Sequence, residues 1–341
     1  MQSALGLIRA GFHRVRFGAQ DGQGGLLSHL VRTLVRTLVV FALSAEAVHA
    51  GADHAEAVLK TQKLADNVYA LIGPVTNRDA ENLGNNANFG VVVTEQGVVL
   101  IDPGATYQGA RMIHDAIRAI TDQPIRVVIN SGGQDHRWLG NSYFKAQGAR
   151  IISSEEAVED QKARGQDQLI ALASLVGASG VEGTEPVYAD ETFAETKTLD
   201  LGQTHIEIRH GGHAHTPGDS FVWLPEERIL FSGDIVYLDR MLGIGPQSAH
   251  RTWISAFEAL AELQPATVVG GHGDPADLAK ATADSYDYLV FLRQAVSEFM
   301  EAGGGIEDVG SIDQSRFSYL ANYEALKGRN AQRVFEELEW E

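Results

Sequence analysis

The sequence predicts an α/β protein in which mixed sheets are covered by helices. From about residue 65 to 275, short apolar segments typical of strands alternate with segments of helical periodicity, which is the pattern of layered α/β folds. The chain has 341 residues, of which 44% are hydrophobic. It is therefore long enough to bury the core of one large α/β domain or of two smaller ones.

The first half of this region predicts strands, a hairpin and a helix before a polar loop. The strands are placed at 67–72 and 126–129, the hairpin at 88–94 with 98–101, and the helix at 109–120. The helix is predicted because apolar residues recur on one face: Met112, Ile113, Ala116, Ile117 and Ile120. The segment from Ser131 to His136 is then a loop at the carboxyl end of a strand, where function gathers in layered α/β folds.

The second half repeats this style. Strands are predicted at 205–208, 220–224, 228–231 and 266–269, with a helix near 253–263. Residues 275–341 are predicted to be mainly helical, with the glycines at 303–305 separating two helical segments.

The first fifty residues are predicted to be a secretory leader. Arg32 precedes the apolar run 34–43, small residues follow, and cleavage after Ala50 is the preferred interpretation. The run is too short to span a bilayer of about 30 Å as a helix. Export predicts a periplasmic or secreted protein. An organellar transit peptide and a frayed amphipathic helix are the alternatives.

Composition excludes several classes of function. The formal net charge is −18, which disfavours binding to nucleic acid or to an anionic membrane. A small-molecule substrate is the expected partner. Cysteine is absent, so disulfides, thiol catalysis and cysteine-rich metal sites are excluded. The sequence does not indicate an oligomeric state.

Aspartate and histidine residues, which can bind metal ions, follow several of the predicted strands. They are Asp135-His136, His215 with Asp219 four residues later, Asp234 after Gly233, and His272 between two glycines. In this order they resemble the signature of the metallo-β-lactamase superfamily, in which a His-x-His-x-Asp-His stretch precedes isolated His, Asp and His ligands. The two leading histidine positions hold Ser131 and Gly133 here, so the motif is degenerate.

The resemblance implies a fold and a division of the chain. The expected fold is a four-layered αββα sandwich of two mixed sheets flanked by helices, with the superfamily-like domain at 60–280. A helical C-terminal extension at 281–341, packed on the same domain, resembles the tails of exported bacterial members.

The resemblance also implies the ligands. Asp135, His136 and His272 match the second metal site, Asp234 matches the carboxylate that bridges two metals, and His215 is the one remaining ligand of the first site. A single ion is therefore expected, with zinc preferred and iron or manganese as alternatives.

Asp135 and His215 are also assigned catalytic roles, with His215 as a proton carrier or a further ligand. Two alternatives stay open, namely that His215 only forms hydrogen bonds and that His213 partly rebuilds the first site. The pocket around His215 is expected to be vacant but correctly shaped, so that Ser131→His together with Gly133→His would create a second metal site.

Two functions follow. The leading hypothesis is an exported metal-dependent hydrolase that uses metal-bound water on an ester, a thioester or another small polar substrate. The alternative is a catalytically silent relative that binds a ligand or a partner, because outer-shell changes alone already reduce metal affinity or activity about 10–100-fold.

Overall fold

The computed structural model describes residues 58–341, so the predicted leader lies outside the described residues. Two mixed sheets pack face to face, and helices cover the outer face of each. This is the predicted four-layered αββα sandwich, and that prediction is confirmed.

The first sheet has seven strands in the order β1-β2-β3-β4-β5-β6-β7. Its first four strands pair antiparallel, whereas β4 to β7 pair parallel. The strands are β1 (Lys60–Lys63), β2 (Val68–Ile72), β3 (Asn88–Thr94), β4 (Gly97–Ile101), β5 (Ile125–Asn130), β6 (Arg150–Ser154) and β7 (Glu191–Phe193).

The second sheet has five strands in the order β12-β11-β10-β9-β8. Only β11 and β12 pair parallel in it. The strands are β8 (Thr196–Leu201), β9 (Thr204–His210), β10 (Ser220–Leu224), β11 (Ile229–Phe231) and β12 (Thr267–Val269).

Helices connect the strands and extend beyond the last one. They are α1 (Tyr107–Arg118), α2 (Asn141–Ala146), α3 (Glu155–Val176), α4 (His250–Ala261), α5 (Leu278–Ala281), α6 (Asp287–Glu301) and α7 (Tyr323–Leu338). A π-helical turn, Thr282–Tyr286, joins α5 to α6. In residues 58–341 no helix combines the length and the apolar character needed to cross a membrane.

Successive side chains of the strands point to opposite faces of each sheet and so contribute to different core layers. On β4, Leu100 belongs to the core shared with α1, whereas Val99 and Ile101 face the core between the sheets. Successive side chains of a strand point to opposite faces, so a fully apolar strand such as β4 serves both cores. A third core, which includes Trp223 and Trp253, lies between the second sheet and the helices α4, α6 and α7.

The C-terminal helices are part of this third core. Val334 and Phe335 of α7 belong to the same buried cluster as Leu289 of α6. The side chain of Asn330 accepts a hydrogen bond from the backbone N–H of Ile244 (2.9 Å) and donates one to the carbonyl of Leu242 (2.8 Å). The extension therefore packs on the segment that follows Asp234.

Candidate metal centre

Three buried side chains converge where strands of the two sheets end. One nitrogen each of His136 and His272 and a carboxylate oxygen of Asp234 lie within 4.8 Å of one another. The Nε2 atom of His136 is 3.1 Å from Oδ2 of Asp234, and Nε2 of His272 is 3.5 Å from its Oδ1. Each side chain is at most 3% exposed, so the group lies in a region of low dielectric.

Each of the three residues follows a strand. A 3₁₀ turn, Asp135–Arg137, carries His136 soon after β5, and a second 3₁₀ turn, Gly233–Ile235, carries Asp234 soon after β11. His272 comes three residues after β12. Because β11 and β12 are parallel neighbours, their carboxyl ends bring Asp234 and His272 to the same edge.

The three side chains fit a divalent ion. Zinc binds nitrogen and oxygen at about 2.0–2.2 Å with tetrahedral geometry, which places neighbouring donor atoms about 3.4 Å apart. Each histidine nitrogen lies at about that distance from one oxygen of Asp234, Oδ2 at 3.1 Å for His136 and Oδ1 at 3.5 Å for His272, and one donor atom from each residue falls within 4.8 Å of the others. His272 Nδ1 lies 2.8 Å from the carbonyl oxygen of Asn86, so Nδ1 donates there and Nε2 keeps its lone pair toward Asp234.

Two arginines of the centre, Arg137 and Arg78, were not predicted from the sequence, and Arg137 is the more buried of the two. Its guanidinium is 1% exposed and donates to both carboxylate oxygens of Asp234, at 2.7 and 3.1 Å, and to Asp102 at 2.9 Å. Burial alone would raise the pKa of Asp234, but the Arg137 charge holds it well below its usual range. The available signal was an arginine placed directly before the apolar pair Trp138-Leu139.

A second arginine fixes the tautomer of His136. Arg78 Nη2 lies 2.6 Å from His136 Nδ1. A guanidinium only donates, so Nδ1 accepts from it, and Nε2 carries the ring proton toward Asp234. His136 therefore has its hydrogen bonds satisfied in this arrangement, and it must release the Nε2 proton before it can bind a metal through that atom.

Asp135, predicted as a ligand and as catalytic, is not one of the three converging residues. Its Oδ1 accepts from Arg78 at 2.5 Å and from the backbone N–H of His136 at 2.8 Å. Burial opposes ionisation of Asp135, but the Arg78 charge lowers its pKa. In this structure Asp135 holds Arg78 against His136 and acts through that residue.

His215, predicted as a ligand and a proton carrier, lies beside the three residues. Its Nδ1 is 3.7 Å from Oδ2 of Asp234 and is a buried atom without a hydrogen-bond partner in the described structure. The ring packs edge-on against Trp253 with centroids 5.6 Å apart. Burial lowers the pKa of His215 to about 4, so the imidazole is neutral at pH 7. An unpartnered nitrogen at this place suits a proton-accepting or ligand role.

His213 lies outside the group of three converging residues. Its Nε2 lies 2.6 Å from the carbonyl oxygen of Gln247. The metal-ligand group found among residues 58–341 does not include it.

A cavity does lie beside His215, but the structure leaves no free room for a histidine side chain at position 133. The Ser131 hydroxyl donates to Asp102 at 2.8 Å and so faces the network under Arg137. A Cβ atom on Gly133 would overlap the carboxylate of Asp160, which is paired with Arg164. An ion pair from α3 therefore occupies the space that a second histidine would need, and two substituted histidines would not restore a site without displacing it.

Comparison with known proteins places the chain among related folds. The sequence model of one family, described as the metallo-beta-lactamase superfamily, matches residues 83–272. A curated relative, "Metallo-beta-lactamase type 2" from Elizabethkingia meningoseptica, is 24% identical over 220 residues, covering 63% of this chain and 79% of that protein.

Solved structures agree on the fold. A metallo-beta-lactamase from Pontibacter korlensis matches with a TM-score of 0.54 at 21% identity, over 68% of this chain and 99% of that one. A double mutant of the sec-alkyl sulfatase PisA1 matches with a TM-score of 0.65 at 16% identity, over 82% of this chain and 50% of that one.

Proposed function

We propose that this chain, which belongs to the metallo-β-lactamase superfamily, is an exported hydrolase that uses one divalent metal ion, zinc by preference, on an ester, a thioester or another small polar substrate. The superfamily fold itself implies a metal-dependent, hydrolase-like function. The relatives are named as β-lactamases and as a sec-alkyl sulfatase, which supports a hydrolytic reaction here.

The observation that carries this proposal is the convergence of His136, Asp234 and His272. Two imidazoles and one carboxylate suit a borderline divalent ion and leave a coordination position open. When bound, the ion supplies Lewis acidity and acidifies water at neutral pH. One ion is proposed because Ser131 and Gly133 offer no imidazole for another.

The chain's own residues prepare the centre for this reaction. Arg137 fixes both oxygens of Asp234, so the carboxylate cannot turn away from the two histidines. His215 presents a neutral, unpartnered nitrogen that can accept a proton from a group in the adjacent pocket.

Metal content tests the proposal directly. Full-length protein purified without chelator and then equilibrated with zinc should hold one ion per chain by elemental analysis. His136→Ala and His272→Ala should abolish binding, whereas His205→Ala, a change on β9 outside the centre, should leave it unchanged. Loss of metal in all three variants alike, or in none, would contradict the assigned site.

Hydrolysis is tested separately. Metal-loaded protein should hydrolyse a member of a panel of esters, thioesters, lactams and phosphodiesters, and Asp234→Asn should remove that activity while circular dichroism shows a folded protein. A loaded protein that hydrolyses nothing in the panel would overturn the catalytic proposal and leave the metal site standing.

One observation favours the alternative of a silent binding protein. The ion pair between Arg137 and Asp234, together with the Arg78 contact to His136, satisfies the centre without an ion. The panel experiment decides between the two, because a silent relative binds metal or ligand without turnover.

Export is proposed from the composition of residues 32–50. The native mature chain should begin near Gly51, and N-terminal sequencing of protein from its natural source should show it. Detection of peptides from residues 1–50 on the native protein would contradict export.

A further inference from the structure

The pocket beside the metal centre carries positive charge in a strongly acidic protein. This cavity of about 350 Å³ is lined by His136, His215 and His272 together with four arginines. Among the described residues that line it, none is an aspartate or a glutamate. The chain as a whole has a formal net charge of −18, so the pocket lining differs in sign from the chain as a whole.

We propose that Arg240 and Arg329 bind an oxyanion group, that is, a sulfate, phosphate or carboxylate carried by the substrate. This anion site adds a substrate class to the proposed hydrolase function. It depends on that function only because the bound anion is taken to be part of the substrate.

Two of the four arginines already have carboxylate partners. Arg78 pairs with Asp135 at 2.5 Å, and Arg164 pairs with Asp160 within one turn of α3. These two charges are compensated by the protein itself.

Arg240 and Arg329 are different. Among residues 58–341 neither has a salt bridge to a carboxylate. Arg240 Nη1 donates to the carbonyl of Thr76 at 3.2 Å, and its Nε is buried without a partner in the described structure. Its approach to His272 Nδ1 at 3.4 Å is not a hydrogen bond, because that nitrogen already donates to Asn86.

A half-buried guanidinium without a counter-charge is unfavourable in the free protein. Desolvation of a charge is tolerated where a partner of opposite charge and matching geometry is present, and a guanidinium matches carboxylate, phosphate and sulfate oxygens through two parallel N–H donors. A bound oxyanion would supply the partner that Arg240 lacks.

Arg329 brings a second donor from a separate part of the chain. It lies on α7, in the C-terminal extension, and its side chain reaches the same cavity next to Leu326. Because His136 and His272 line this cavity as well, an anion held by the two arginines lies next to the metal centre. The extension thereby takes part in substrate selection.

Binding of inorganic anions tests this proposal without any assay of turnover. Full-length protein is titrated with inorganic phosphate, sulfate and acetate by calorimetry at constant ionic strength, both metal-free and zinc-loaded. Saturable binding is expected, and Arg240→Gln and Arg329→Gln should each weaken it about tenfold or more, since a hydrogen bond to a charged group is typically worth a tenfold to 100-fold change in affinity.

The matched control is Arg111→Gln, an exposed arginine on α1 away from the pocket, which should not change the affinity. Arg329 is exposed in the free protein, so Arg329→Gln keeps the test decisive if Arg240→Gln fails to fold. Stronger binding of phosphate and sulfate than of acetate assigns a tetrahedral ester group, and the reverse order assigns a carboxylate.

Two results would overturn the site. One is the absence of saturable binding, and the other is binding that follows the metal and is unchanged in both arginine variants. These outcomes are independent of the proposed function. Anion binding that depends on the arginines, in a protein without turnover, would support the anion site and contradict the hydrolase function. Hydrolysis of neutral esters at an unchanged rate in both variants would support the hydrolase function and contradict the anion site.

Discussion

At the scale of single residues, Arg137 organises the centre. Its guanidinium joins Asp234, which faces the two histidines, to Asp102 at the end of β4. Both carboxylates are about as buried as the arginine, so each depends on it for compensation of its charge. The charges of Asp234 and Asp102 in turn raise the pKa of Arg137 against the opposing effect of burial.

Removal of this guanidinium should destabilise the fold strongly. Arg137→Met leaves two buried carboxylates without a counter-charge, and breaking a buried pair in this way lowers the free energy of unfolding by about 3–5 kcal/mol. Urea denaturation measures the free energy of unfolding of this variant. Arg111→Met, at an exposed position of α1, is the control and should change the value by less than about 0.5 kcal/mol. Equal values for the two variants would refute the role of Arg137.

His250 should make the protein sensitive to acid. The residue is fully buried at the start of α4, its Nε2 lies 2.9 Å from the carbonyl oxygen of Leu289, and burial lowers its pKa from 6.5 to about 4. Between these two pKa values, His250 is therefore protonated in the unfolded chain but neutral in the folded chain. The free energy of unfolding falls as pH drops from 6.5 to 4, by up to about 3 kcal/mol from this group.

His250→Gln should remove that part of the decline while a donor to Leu289 is kept. Urea denaturation between pH 4 and 7 checks the slope, with His205→Gln, a half-exposed residue of β9, as the control that retains it. An unchanged slope in His250→Gln would show that this histidine is not responsible.

At the scale of elements, turns hold the centre in place. The turn after β9 docks on the start of α3 through Gly218, whose φ is +77° and whose carbonyl accepts from the Ser154 hydroxyl at 2.6 Å. A Cβ atom at Gly218 would overlap the backbone N–H of Ala157. This contact sets the path of the segment that carries His215.

Gly218→Ala should therefore be more harmful than an alanine elsewhere in the same segment. Gly212 also has a positive φ, +100°, but has open space around it, so Gly212→Ala adds only backbone strain of about 1–3 kcal/mol. Gly218→Ala adds overpacking of about 1–3 kcal/mol to a similar strain. Unfolding free energies of the two variants compare them directly, and equal losses would refute the docking role.

The longest element that the sequence pattern did not predict is α3; the strands β1, β6, β7 and β8 and the helix α2 were not predicted either. Eight of the 22 residues of α3 are buried, and three of these eight, Asp160, Gln161 and Gln168, are polar, so the buried face lacks the continuous apolar stripe that marks an amphipathic helix. Its N-terminal signal was present, since Ser154 caps the helix by accepting from the N–H of Ala157. The helix supplies Asp160 and Arg164, which fill the space beside Gly133.

At the scale of the whole molecule, the C-terminal extension shares a hydrophobic core with the domain. Val334 and Phe335 lie in one core with Trp253 of α4, and the Glu337 carboxylate accepts from the backbone N–H groups of His250 and Arg251 at 2.7 and 3.0 Å. Those two backbone N–H groups lie at the start of α4, and without the extension they would lack this hydrogen-bond acceptor.

A chain truncated after Gly303 should lose cooperative folding. It exposes the apolar surface of α4 and α6 and removes the cap of α4. Scanning calorimetry should show one cooperative transition for the complete chain and none for the truncated chain. Truncation after Glu339, which removes the 90% exposed Trp340 and the last residue, is the control and should retain the transition. A cooperative transition in the shorter chain would show that the extension is a separate unit.

The sequence by itself determined the layered fold and which loops carry the centre. Strand and helix periodicities are local properties of the sequence. Asp234 and His272 follow buried strands, so the local pattern alone places them in loops at strand ends. The helix predicted at 109–120 and the strands around Ser220–Leu224 and Asn88–Thr94 agree closely with the structure for the same reason.

Only the tertiary structure decided which side chains of each loop reach the centre. In the 3₁₀ turn Asp135–Arg137, successive side chains point about 120° apart, so the three consecutive residues face three directions. The packing of the turn at the edge where the strands end directs His136 and Arg137 to Asp234 and leaves Asp135 against Arg78. That outcome depends on contacts between residues far apart in the chain, which a local pattern does not contain.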